Sequence, residues 1–131
     1  MTGIAPVREP DFNADASFGG TGGGERPTTL MVVLTGNADL NVKTMLDHFL
    51  VAVHEASQRQ HIPEVEVDVR KLEFMNSSCL KSLVSWVTQI QDLPRGQQYR
   101  VTFLSSPTMY WQKRSLHAIC CLANDIVSVE S

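Results

Sequence analysis

From Thr29 onward the apolar and polar residues come in blocks whose spacing switches between that of a strand and that of a helix. Leu30 to Leu34 (LMVVL) is a short continuous apolar run, the pattern of a fully buried strand, and Thr35-Gly36 closes it. A helical pattern opens from Asn37 to Asn41, where Asp39 or Asn41 offers a capping side chain. Val42, Met45, Leu46, Phe49, Val53 and Ala56 fall on one side of this helix, and Lys43, Asp47, His54, Glu55 and Gln58 on the other. The pattern predicts an amphipathic helix laid on a sheet.

His61-Ile62-Pro63 breaks that helix, and Val65, Val67 and Val69 then alternate with Glu66, Asp68 and Arg70 as in a half-buried strand. Leu72 and Phe74-Met75 lead to Asn76-Ser77-Ser78, where a second helix starts. Its Leu80, Leu83, Val84, Val87 and Ile90 cluster on one face, and Pro94-Arg95-Gly96 ends it. Tyr99 to Leu104 reads as a strand. Ser106-Pro107 joins an N-cap hydroxyl to a proline and predicts a third helix there, with Trp111, Leu116, Ala118, Ile119, Leu122 and Ala123 inward. Asn124-Asp125 turns the chain into a last short strand, Ile126 to Val129. The order β-α-β-α-β-α-β predicts an α/β layer fold on a mainly parallel or mixed sheet.

The first 28 residues have a different character. Gly19 to Gly24, followed by Glu25, Arg26 and Pro27, reads as a flexible connection with little to bury. Asp11 to Phe18 alternates weakly and is a candidate edge strand, the glycines then forming a hairpin loop. Residues 1–28 are therefore expected to contribute little to the fold, and residues 29–131 to form the domain.

Composition narrows the function. The chain has 131 residues, enough for one core, and 43% of them are hydrophobic. A net charge of −3 with scattered basic residues gives no general attraction to nucleic acid or an anionic membrane. No apolar stretch approaches the ~20 residues that span a bilayer, and no signal-like segment opens the chain, so a cytoplasmic address is expected. Cys79, Cys120 and Cys121 form no even framework and no CxxC pair, which fits reduced thiols. Cys79 at a helix start could carry an activated thiol, though a packed core thiol is the simpler reading. His48, His54, His61 and His117 lack metal-ligand spacing. Gly19 to Gly24 lacks the Lys-Ser/Thr of a P-loop, and no G-x-S-x-G elbow is present. The expectation is a non-catalytic protein without metal or cofactor.

The informative stretch is the delivery of Asn76, Ser77 and Ser78 by a strand onto a helix N-terminus. Unpaired backbone N–H groups and the helix dipole favour an anion there. A phosphate on Ser77 would bring about −1.5 to −2 charges into that field. The plain alternative is that the three residues only cap the helix.

Phe74-Met75-Asn76-Ser77-Ser78-Cys79-Leu80 resembles the F-(M/I)-D-S-S/T-G-L signature of STAS domains, found in bacterial anti-sigma factor antagonists, stressosome proteins and the cytosolic tails of sulfate transporters. Leu34-Thr35-Gly36-Asn37-Ala38-Asp39 is similar to the L-x-G-E-L-D segment before the family's first helix. Ser105-Ser106-Pro107 is similar to the N-x-S-P start of its third, and Asn124-Asp125-Ile126-Val127 stands where its closing strand begins. The resemblance runs in order from Leu30 to Val129. It implies a STAS-like α/β fold, a four- to five-stranded mixed sheet with helices mainly on one side.

It also implies a non-catalytic module of bacterial partner switching. A serine kinase, the anti-sigma-like partner, would phosphorylate Ser77, with Ser78 as the alternative, and a PP2C-type phosphatase would reverse it. Asn76 replaces the family's acidic residue and Cys79 its glycine. The Asn-Ser-Ser form is similar to that of the STAS-like biofilm-regulation phosphoproteins. The partner surface is expected at Asn76, Ser77, Ser78, Ser82, Ser85 and Gln89, with Trp86 at its edge. A secondary surface is expected at Tyr110, Lys113, Arg114 and His117, where tyrosine beside arginine has the composition of a binding hot spot. Alternatives are a nucleotide-binding sensor and a constitutive scaffold component.

Overall fold

The computed structural model describes residues 2–19 and 27–131. One sheet holds six strands in chain order: β1 (Val7–Glu9), β2 (Phe12–Gly19), β3 (Thr29–Ala38), β4 (Glu64–Met75), β5 (Arg100–Leu104) and β6 (Val127–Glu130). The first two pairings are antiparallel and the last three parallel. Helices α1 (Lys43–Arg59), α2 (Ser77–Gln91) and α3 (Tyr110–Leu122) make the three parallel crossovers. Each crossover steps one strand in the same direction. Right-handed connections therefore put all three helices on one face of the sheet.

Burial follows that asymmetry. Leu30, Val32, Leu34, Val65, Val67, Val69, Val101, Phe103 and Val127 face the helices and form the core. Met31 on the opposite face is exposed and Val33 is half-buried, so the Leu30–Leu34 run is buried on one face rather than both. Among the described residues no helix is long and apolar enough to cross a membrane.

The N-terminal segment departs from expectation. Residues 11–18 fall in β2, which is second in the sheet and pairs with β3 along its whole length, with β1 outside it. Phe12 and Ala14 are wholly buried, so this segment adds to the core. The two added strands bring the sheet to six. Gly36 explains how tightly the first hairpin docks. Its φ is +95°, and a Cβ there would lie 2.0 Å from the Asp11 carbonyl oxygen. Only glycine allows that approach. The glycines read as a linker lie, beyond Gly19, outside the described residues.

β4 is longer than the alternation suggested. Its pairing with β3 shifts twice, between Val33 and Thr35 and between Gly36 and Asn37. Each shift adds one residue on β4 and flips which residues face inward. The buried positions therefore run Val65, Val67, Val69, then Leu72, then Met75, and Phe74 is turned outward.

The helices also differ in detail. The inner face of α1 includes Leu50 and Ser57, whose hydroxyl donates to the Val53 carbonyl at 2.8 Å. α3 begins at Tyr110, with Ser106-Pro107 in a preceding turn. Gln112, Leu116 and Ile119 are the buried positions of α3, with Ala123 just beyond it, while Ala118 and Leu122 face solvent. Gln112 is the reason for the later start. Its Oε1 accepts from the Ser106 N–H at 2.8 Å, and its Nε2 donates to the Val69 and Leu72 carbonyls. Those carbonyls lie beyond Asp68, the last residue of β4 that pairs with β5. Buried and fully satisfied, Gln112 ties the start of α3 to this unpaired stretch of β4.

Candidate functional site

The site is built where β4 ends and α2 begins. Asn76 is extended, its N–H donates to the Ala38 carbonyl at 2.7 Å, and its Oδ1 accepts from the Ser78 N–H at 2.6 Å. One residue thus closes the sheet and caps the helix. Ser77 follows as the first helical residue and is exposed, whereas Ser78 is half-buried. Asp39 caps the short 3-10 turn Leu40–Val42 through the Asn41 N–H at 2.9 Å, and that turn packs beside the start of α2.

Cys79 faces the core. It is wholly buried and its thiol donates to the Asp39 carbonyl at 3.3 Å. Burial pushes the thiol pKa up, the opposite of activation. The side chain that replaces the family's glycine does not reach the surface.

The helix orientation divides the expected partner surface. Ser82 is 4% exposed and Trp86 only 2%. Lys43 on α1 is the cause for Ser82, donating to its Oγ at 3.0 Å and to Asp47 at 2.9 Å. This polar link holds α1 against α2. Trp86 donates its indole N–H to the buried Tyr99 hydroxyl at 2.9 Å. Ser82 and Trp86 are therefore internal and leave the surface. The solvent face of α2 runs Ser77, Lys81, Ser85 and Gln89, one helical turn apart, with Asn76 and Ser78 at its head.

Two exposed apolar residues near this junction were unassigned by sequence reasoning. Leu40 is 63% exposed on the 3-10 turn that packs with α2, and Phe74 is 46% exposed one residue before the end of β4. The signal for Leu40 was an apolar residue next to a capping aspartate. Phe74 carried no signal, because its outward direction depends on the register shifts. The secondary residues Tyr110, Lys113, Arg114 and His117 are all exposed on α3. They form a separate face, since neighbouring Trp111 and Gln112 turn in to β4, Trp111 through its Nε1 to the Leu72 carbonyl at 3.0 Å.

This sheet, with its three helices on one face, has solved counterparts. An anti-sigma factor antagonist from Mycobacterium paratuberculosis superposes with a TM-score of 0.62 at 16% identity, over 88% of this chain and 86% of that one. The chain has the STAS fold. The anti-sigma factor antagonist SpoIIAA in its unphosphorylated form matches at a TM-score of 0.58 and 13% identity, over 90% of this chain and 88% of that one. No protein-family model matches the chain, and no curated protein matches it in sequence. Within this STAS fold, the Asn76–Ser77–Ser78 cap sits at the β4–α2 junction.

Proposed function

We propose that the chain is a non-catalytic regulatory module that binds a protein partner through the rim around Ser77 and is switched by reversible phosphorylation there. The observation that supports this most is one placement. Ser77 is exposed at the capped start of α2, and two further exposed apolar side chains, Leu40 and Phe74, stand on the 3-10 turn that packs against α2 and at the end of β4. Such residues are the natural contacts of a docking surface. A phosphate on Ser77 is tolerated by the helix N-terminus, with Lys81 one turn on, so the fold survives the modification. The same charge at the head of α2 resists desolvation and opposes a partner's apolar surface. A serine kinase that is itself the partner, and a PP2C-type phosphatase, complete the cycle in a bacterial cytoplasm.

Both solved counterparts are named for antagonism of anti-sigma factors, and one is described as unphosphorylated, which agrees with such a cycle. The test compares the proteins that co-purify with wild type, Ser77→Ala and Ser77→Asp. Ser77→Ala is expected to retain the partner and Ser77→Asp to lose it, with both variants within about 1 kcal/mol of wild-type stability. If both variants retain the wild-type partner equally, Ser77 is not the switch.

A further inference from the structure

We propose that the outer face of α3 is a second docking surface, independent of Ser77, that takes an acidic segment of a partner protein. Residues 93–124 contain Arg95, Arg100, Lys113 and Arg114 and no aspartate or glutamate, in a chain whose 14 acidic residues outnumber its 11 lysines and arginines. On α3 the positions Tyr110, Lys113, Arg114 and His117 recur at helical spacing and all face solvent. Among the described residues the ion pairs are Arg8–Asp15, Lys43–Asp47 and Arg70–Asp68. Lys113 and Arg114 belong to none of them. A cationic helix face without internal counter-charge, on an acidic molecule, is complementary to a carboxylate-bearing segment from outside.

The chemistry favours a protein over other anions. Tyr110 is 92% exposed and stands beside Arg114 on the next turn, the pairing of an aromatic anchor with a bidentate carboxylate donor. Two permanent cations on a molecule of net charge −3 are too few to hold a nucleic acid at ordinary salt. A membrane-bound helix needs a continuous apolar stripe along its outer face, and here the exposed Tyr110, Ala118 and Leu122 are interleaved with Lys113, Arg114 and His117. The face is also preorganised. Gln112 and Trp111, on the inner side of the same turn, are both bonded to the Leu72 carbonyl, so docking costs little ordering of the backbone.

The probe is a fluorescein-labelled peptide rich in glutamate with two phenylalanines, and the control is the same peptide with lysine in place of glutamate. Fluorescence anisotropy with the full chain is expected to show binding of the acidic peptide alone, weakening as salt rises. Lys113→Glu and Arg114→Glu should each weaken it about tenfold or more, while Ser77→Asp leaves it unchanged. Circular dichroism checks that the variants stay folded, and Arg114→Lys should recover part of the binding. The proposal fails if the charge reversals leave the peptide affinity unchanged, or if the lysine peptide binds equally. It also fails if phosphatidylglycerol vesicles or single-stranded DNA engage the same residues more tightly than the peptide. A Ser77→Asp variant that weakens peptide binding as the charge reversals do would overturn the independence of the two surfaces, whereas the switch itself is tested by partner retention.

Discussion

Tyr99 is buried, and its hydroxyl accepts the Trp86 indole N–H at 2.9 Å while lying 2.7 Å from His54 Nδ1. An indole nitrogen only donates, so the phenol proton is left for Nδ1, which must be unprotonated. Burial pushes the His54 pKa down, against a smaller upward pull from Glu55, and pushes the Tyr99 phenol up. The sign for stability follows from linkage. The unfolded chain protonates His54 near 6.5, before the folded chain does. The stability from neutral His54 is complete above that value. It declines as the pH falls through it and is lost once the pH has passed the lower folded pKa. Following His54 by NMR, wild type is expected to titrate below 6.5, and Tyr99→Phe to raise that value by removing the bond to the neutral ring. The same variant leaves the Trp86 N–H unpartnered and should cost about 1–3 kcal/mol in denaturant unfolding. A wild-type His54 that titrates at or above 6.5 contradicts the bond direction.

Ser82 shows what a helical wheel cannot resolve. A serine facing a lysine of the next helix leaves the same mark in sequence as one facing water. Both are small polar residues at helical spacing, and only the Lys43 contact decides between them. Ser82→Arg is accordingly expected to destabilise the protein by about 1–3 kcal/mol through overpacking, whereas Ser85→Arg stays within about 0.5 kcal/mol. Equal melting curves for the two variants would place Ser82 outside.

At the scale of elements, the apolar periods of α1, α2 and β3–β6 were legible because each packs one face against a common core. The N-terminal strands were less so. Three residues of β1 and the mixed Phe-Asn-Ala-Asp-Ala-Ser-Phe pattern of β2 carry weak alternation, and their pairing is long-range with β3. Phe12 is the residue that anchors them, sitting opposite Gly36 in the core. Phe12→Ala is expected to cost about 3–5 kcal/mol, and removal of residues 1–19 to lower the melting temperature clearly. An unchanged transition in both would mean that the hairpin is an accessory to the sheet. The bulges of β4 were invisible for a different reason. A one-residue insertion in register changes no local propensity, yet it decides that Phe74 faces outward.

For the whole molecule, the resemblance of the Phe74–Leu80 stretch to STAS domains and the α/β order of the chain point to the same architecture. The sheet and the helix layer conform to it. What sequence left open was the sidedness of the surface, because exposure of Leu40, Phe74 and Lys81 and burial of Ser82 and Trp86 are properties of packing. The proposed switch rests on one serine, at one exposed helix start, as the control point of a protein contact. Phosphopeptide mapping of the protein isolated from its native cell reads that most directly. The expected result is a phosphate on Ser77 in a fraction of molecules that changes with growth condition, with Ser78 unmodified. A chain in which Ser77 is unmodified under every condition, or in which the phosphate lies only on another residue, would contradict it.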